Sequence, residues 1–311
     1  MLTTSMRRGV RAIFVEARVA ILVWLANVAL ALVALPAVWS WWARTSLLPE
    51  ADPLLERFHT GIFRDLLIDG GGNGLLSMLL TGLGLLIVSV PVSAFLSAGT
   101  LEVLISDDSP KFFQRFMTGA GHFFWRFLRL AIIGGIVMAI AVAAAVAGSA
   151  IAVTRLVQSN WPPGPFVALG IECATFLAVT SFFLLSFDYA RIRLALTDRG
   201  GALRAWLPSL WLVLRHPLRI YGLAVLFLLL FAIVAAGYLF AIARLGSHTM
   251  PLILAGIAIQ QLFLIVRAAL RVGLLAGEVE LYQWLRPAGT AAPVVDPRPP
   301  QSPVPLLYDA Q

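Results

Sequence analysis

Cysteine is all but absent. Cys173 stands alone among 311 residues, so neither an intrachain disulfide framework nor a cysteine-based metal site can form. Charge is scarce as well. Asp, Glu, Lys and Arg make up 13% of the chain, about half the share in an ordinary soluble domain. No Ser/His/Asp set, paired carboxylates or zinc-protease motif occurs at usable spacing, which removes the common hydrolytic chemistries. The four histidines, His59, His122, His216 and His248, fall in four different segments. One loose grouping, His59 with Asp52 and Glu56, shares a short stretch but is weak ground for a metal. The run from Gly70 to Gly74 lacks the Lys-Ser/Thr of a phosphate loop and reads as a flexible joint. The expectation is a non-enzymatic chain with no cofactor and no metal.

What the sequence has in excess is apolar surface. Hydrophobic residues form 60% of the chain and the mean hydropathy is +0.89, so the solvent for most of it is lipid. A bilayer core takes about 20 apolar residues as a helix. Six stretches qualify: Ala20–Trp42, Leu75–Leu96, Leu130–Val153, Phe166–Phe187, Ile220–Ala243 and Leu252–Leu270. They do not alternate polar with apolar as barrel strands do. The predicted fold class is an all-α membrane protein with six transmembrane helices, spanning residues 1–286. The remainder, 287–311, is rich in proline and reads as a disordered cytoplasmic tail. Arg7, Arg8 and Arg11 before an apolar run resemble a signal peptide, but the run is long and ends in Trp39, Trp41 and Trp42, which suits an uncleaved first span with an interfacial anchor.

The few charges are unevenly placed. Of 23 Lys and Arg residues, 18 fall in or beside the segments that a six-span threading puts on the N-terminal side. The positive-inside rule then places both termini in the cytoplasm of a bacterial-type inner membrane. The net charge of +7 is spread over membrane-proximal turns rather than gathered on a soluble module, which argues for anionic lipid headgroups as partners, with a membrane or cytoplasmic protein as a further option, and against nucleic acid. In the first outer loop, Leu55, Phe58, Ile62 and Leu66 recur at helical spacing and predict a short interfacial helix.

Arg7 and Arg18, Arg115 and Arg126, and Arg204 and Arg215 share an eleven-residue spacing, each pair preceding spans one, three and five. Eleven residues are close to three helical turns, so each pair lies on one face. Aromatics such as Phe116, Phe123, Trp125, Trp206 and Trp211 lie between the later pairs. The pattern predicts three parallel copies of a two-span unit, each opened by a cytoplasmic interfacial helix. Arg193-Leu-Ala-Leu196 and Arg271-Val-Gly-Leu274 echo one another at the ends of spans four and six.

The stretches Phe112-Phe113-Gln114-Arg115 through His122-Phe123-Phe124-Trp125-Arg126-Phe127-Leu128-Arg129, and Asp188-Tyr189-Ala190-Arg191-Ile192-Arg193 through Leu214-Arg215-His216-Pro217, resemble a loose group of bacterial six-span proteins. That group includes the membrane domain attached to some glycerophosphodiester phosphodiesterases. The resemblance covers about Met1 to Leu285 and implies a six-helix bundle with interfacial helices. It implies no catalysis, because the catalytic barrel domain is absent from this chain.

Five charged residues stand out as functional or ion-pair candidates. Arg267 and Arg271 lie one turn apart at the inner end of span six, with Glu278 on the same stripe. They form an ion-pair cluster with Asp188 of span four and Glu102 of span two, or snorkel to the interface, or hold an anionic headgroup or substrate. Glu172 is the acid well inside a span. Its options are a structural pair with Arg155 or Arg244, a hydrogen-bonded neutral acid, or a role in proton-coupled transport. Pro36 and Pro91 are expected to interrupt spans one and two. Ala139, Ala143, Ala147, Gly148 and Ala150 are expected to let span three sit centrally. The reading is a membrane-embedded binding or scaffold component; the alternative is a transporter of a small solute or lipid.

Overall fold

The computed structural model describes residues 2–45, 73–106, 112–158, 163–197, 201–245 and 249–285. The predicted outer interfacial helix, His59 and His248, the glycines up to Gly72 and the proline-rich tail lie outside them. Among the described residues there are eight α-helices and no strand: α1 (Leu2–Val15), α2 (Ala17–Thr45), α3 (Asn73–Ile105), α4 (Phe112–Gln158), α5 (Gly164–Thr197), α6 (Ala202–Arg215), α7 (Pro217–Arg244) and α8 (Met250–Leu285). Six of them, all but α1 and α6, are long and apolar enough to cross a membrane. The protein is an all-α, multi-pass integral membrane protein.

Several helices overshoot the bilayer. The 47 residues of α4 and the 36 of α8 correspond to about 70 and 54 Å at 1.5 Å per residue, against a hydrocarbon core of about 30 Å. The excess is where the protein packs. The fully buried side chains include Val19, Leu101, Phe116, Phe127, Leu130, Tyr189, Ile192, Leu194, Ile220, Leu223 and Leu281, all toward the arginine-rich end. The other halves of the spans expose Leu83, Ile87, Ile136, Ile140, Leu169, Leu177, Ile233 and Leu254. In lipid such surface costs nothing to leave unburied, so the tight core forms where the helices leave the hydrocarbon.

The two short helices belong to that core and to its rim. α1 buries Ser5, Gly9 and Ala12 and exposes Phe14 and Val15. α6 buries Ala205, Trp206, Ser209 and Val213 and exposes Leu203, Leu207, Trp211 and Leu214. Each pairs one face with protein and offers another to an interface. α6 ends at His216, whose backbone leaves the helical region (φ −129°, ψ 48°) just before Pro217 opens α7; proline disfavours a helical residue before it and suits the first helical position. Nothing in the residues around Glu16 accounts for the break between α1 and α2.

One series of helix contacts runs in the order that the predicted repeat would give. The last helix of each two-span unit lies against the first helix of the next: α3 on α4, α5 on α6, and α8 on α1. The third contact closes the ring, so both ends of the described chain lie at the same end of the bundle. It depends on missing side chains. A Cβ on Gly9 would sit 2.5 Å from the Gly273 carbonyl oxygen, and one on Gly273 would sit 2.9 Å from that of Gly9. Arg8 adds an ion pair to Glu280 at 2.5 Å.

The copies differ in detail. The second has no separate interfacial helix, because residues 112–130 run unbroken into span three as α4; no proline interrupts them, and the helix carries Gly119 and Gly121 within it. The arginine pairs have also diverged. Arg115 donates to the Val103 carbonyl at 3.0 Å and to Ser106 at 3.1 Å at the C-terminal end of α3, whereas Arg7 and Arg204 are exposed. Helices α2 and α3 continue through Pro36 and Pro91. Ala139, Ala143, Ala147, Gly148 and Ala150 face outward, so the small-residue stripe of span three does not mark the bundle centre. Small residues permit close approach, but the partner must also be there.

Candidate functional site: a charged cleft between four helices

Asp188 and Arg191 are three residues apart on α5, and Arg271 and Glu278 seven apart on α8, so each pair lies on one helix face. α5 and α8 pack together and bring the four into one group. Asp188 is buried, 4% exposed. It accepts both available bonds from Arg271 Nη2, at 2.9 Å to Oδ1 and 2.7 Å to Oδ2. Arg191 Nη1 is a weaker second partner at 3.4 Å. Glu278 is 1% exposed, and neither of its carboxylate oxygens accepts a hydrogen bond from a described residue. The quartet holds two acids and two bases and is formally neutral, which reduces the cost of placing charge away from water.

Above the quartet a cavity of about 180 Å³ opens between α2, α3, α5 and α8. Asp188, Arg191 and Arg271 line one side, and Asn27, Ser93, Ser97 and Thr100 add amide and hydroxyl groups within otherwise apolar walls. Arg271 bridges the two environments: its carboxylate partner is buried while its own side chain is 52% exposed. Chemically the cleft can accept a small polar group. It has neither an activated nucleophile nor a metal-ligating cluster among the described residues.

The five sequence candidates separate. Arg271 and Asp188 come together as the sequence suggested. Arg267, one turn away, is exposed and outside the cleft lining, in keeping with a snorkelling side chain. Glu102 lies on the α3–α4 contact, its Cβ against Gly119, and its carboxylate joins neither Arg267 nor Arg271. Glu172 accepts a hydrogen bond from Ser149 Oγ at 2.9 Å, linking α5 to α4. Its proposed partners lie elsewhere: Arg155 is exposed, and the Arg244 guanidinium sits 4.9 Å over the Phe240 ring.

Two participants were missed. Arg191 is not among the five candidates, although its i,i+3 offset from Asp188 is a readable signal. Arg8 was likewise one of a basic cluster. It bonds Glu280 and reaches the Leu104 carbonyl at 3.5 Å, and only the fold reveals that link. No protein-family model, curated protein or solved structure matches the chain.

Proposed function

We propose that this is a non-enzymatic, membrane-embedded binding component of a bacterial-type inner membrane, with both termini cytoplasmic and anionic lipids as its partners at the arginine-rich end. The observation that carries this reading is the combination at that end of a packed core with two rim helices. α6 exposes Leu203, Leu207, Trp211 and Leu214 beside the exposed Arg204 and Arg215, and α1 exposes Phe14 and Val15 beside Arg7, Arg11 and Arg18. Apolar side chains next to cations suit the boundary between acyl chains and anionic headgroups. The test compares the purified protein in nanodiscs of phosphatidylcholine alone and of phosphatidylcholine with phosphatidylglycerol. Anionic lipid should raise the melting temperature, and added salt should shrink the gain. Equal melting temperatures in the two bilayers overturn the reading.

A second reading, passage of a small solute through the bundle, is favoured by the polar cleft at Arg271 and Asp188. Against it, Glu172 does not line that cleft and is joined to Ser149 instead. Uptake of a polar solute into proteoliposomes that is lost in Asp188→Asn would favour transport over binding.

A further inference from the structure

A second cavity, also about 180 Å³, lies where the ends of α5, α6 and α8 meet. Its polar lining differs in kind from that of the charged cleft. Arg193, Arg215 and His216 face it, and no carboxylate does. Arg191 and Arg271 nearby are engaged by Asp188. Arg193 and Arg215 make neither an ion pair nor a side-chain hydrogen bond with any described residue. Two of the hydroxyls in the lining are already committed as donors. Thr197 Oγ1 donates to the Arg193 carbonyl at 2.7 Å, and Ser209 Oγ to the Ala205 carbonyl at 2.9 Å. Besides these and Tyr282, the polar residues that line the space are two arginines and a histidine. Two like charges sharing a cavity repel, and an acceptor-only anion relieves that. A phosphoryl group matches the guanidinium fork in charge and geometry.

The surroundings indicate the source of the phosphoryl group. Trp211 lines the cavity and is 66% exposed. It continues the outward apolar stripe of α6 through Leu207 and Leu203, four residues apart each, so one stripe leads from the cavity along the helix. A free phosphate needs no such stripe, whereas the acyl chains of a lipid do. We propose that this cavity binds the phosphoryl headgroup of an anionic glycerophospholipid through Arg193 and Arg215, with the chains running along Trp211, Leu207 and Leu203. This deepens the anionic-lipid reading and rests on it.

The test uses the full chain and counts lipids retained in native mass spectrometry as phosphatidylglycerol is titrated into detergent micelles. Arg215→Gln and Arg193→Gln should each weaken the tightest-bound lipid by roughly 10-fold or more, the scale of losing one hydrogen bond from a charged donor. Arg155→Gln, at the opposite end of the bundle and outside the cavity lining, should leave that affinity unchanged. Arg215 is exposed at a helix end, so its variant keeps the test open even if Arg193→Gln misfolds. Three results overturn the proposal. Unchanged lipid retention in Arg215→Gln overturns the site but leaves the general anionic-lipid reading standing. Absence of any retained phosphatidylglycerol in the wild type overturns both. Glycerol phosphate or inorganic phosphate displacing the lipid at equal concentration overturns the lipid as source.

Discussion

Replacing Arg271 by Met tests the charged cleft most directly. The substitution keeps an unbranched apolar stem of similar reach and deletes the cation. Asp188 would keep only Arg191, at 3.4 Å, while remaining 4% exposed and facing Glu278. Stranding one member of a truly buried pair costs about 3–5 kcal/mol. Arg271 is 52% exposed, so solvent already screens part of the attraction, and about 2 kcal/mol is the better expectation. That corresponds to a fall of roughly 3 °C in the melting temperature, measured in detergent by a fluorescent thiol-independent dye or by light scattering. Arg267→Met is the internal control. Its side chain is exposed and outside the quartet, so a change within about 0.5 kcal/mol is expected. Asp188→Asn placed on top of Arg271→Met should recover part of the loss, because the carboxylate that was stranded is gone. Equal losses for Arg267→Met and Arg271→Met, or strictly additive losses in the double variant, would refute the argument.

Three further expectations follow from the same geometry. Glu278→Gln should leave the melting temperature unchanged or raise it, since the carboxylate is buried without a hydrogen-bond donor among the described residues; a clear drop would show that its charge holds the quartet together. Gly273→Val should free α1, because even a Cβ there would sit 2.6 Å from Ile13 Cγ1, and trypsin should then cut at Arg7, Arg8 and Arg11 faster than in the wild type; an unchanged rate would mean the crossing yields. In a Cys173→Ser background, cysteines at Asn160 and Asp65 should react with an impermeant thiol reagent from outside intact cells and cysteines at Ser109 and Gly200 should not; labelling of Gly200 would overturn the threading.

The spans were legible because lipid imposes a length and a composition on each helix separately, and both can be counted in the sequence. The amphipathic α6 was legible for a related reason: Leu203, Leu207, Trp211 and Leu214 repeat along one face. The Arg271–Asp188 pair was half legible. Charges inside apolar segments are few, so partners can be guessed, but which arginine turns inward depends on helix rotation, and one turn separates the bonded Arg271 from the exposed Arg267. The continuity of α4 was not legible, since an interfacial helix and a span carry the same propensities and nothing local decides whether a joint falls between them. Glu278 and Glu280 illustrate the limit. Two residues apart, one ends buried with the quartet and the other bonded to Arg8 at the far end of the chain.

The joint between α8 and α1 differs from its two counterparts. α3 and α4 are separated by only six residues of sequence, 106–111, and α5 and α6 by four, 198–201, so the brevity of the linking sequence holds those helix pairs at high local concentration. α8 and α1 are opposite ends of the described chain. Their contact must compensate for that missing tether, and the residues there match the task. Gly9 and Gly273 let the backbones approach, Gly277 comes up against the Ser5 carbonyl, and Arg8 bonds at once to Glu280 of α8 and to the end of α3. Arg8 thus joins the first unit to the third and α1 to α3 within its own unit. The three meetings follow one order along the chain, while the arginines near each have separate duties: Arg8 bonds Glu280 and the end of α3, and Arg115 bonds Val103 and Ser106.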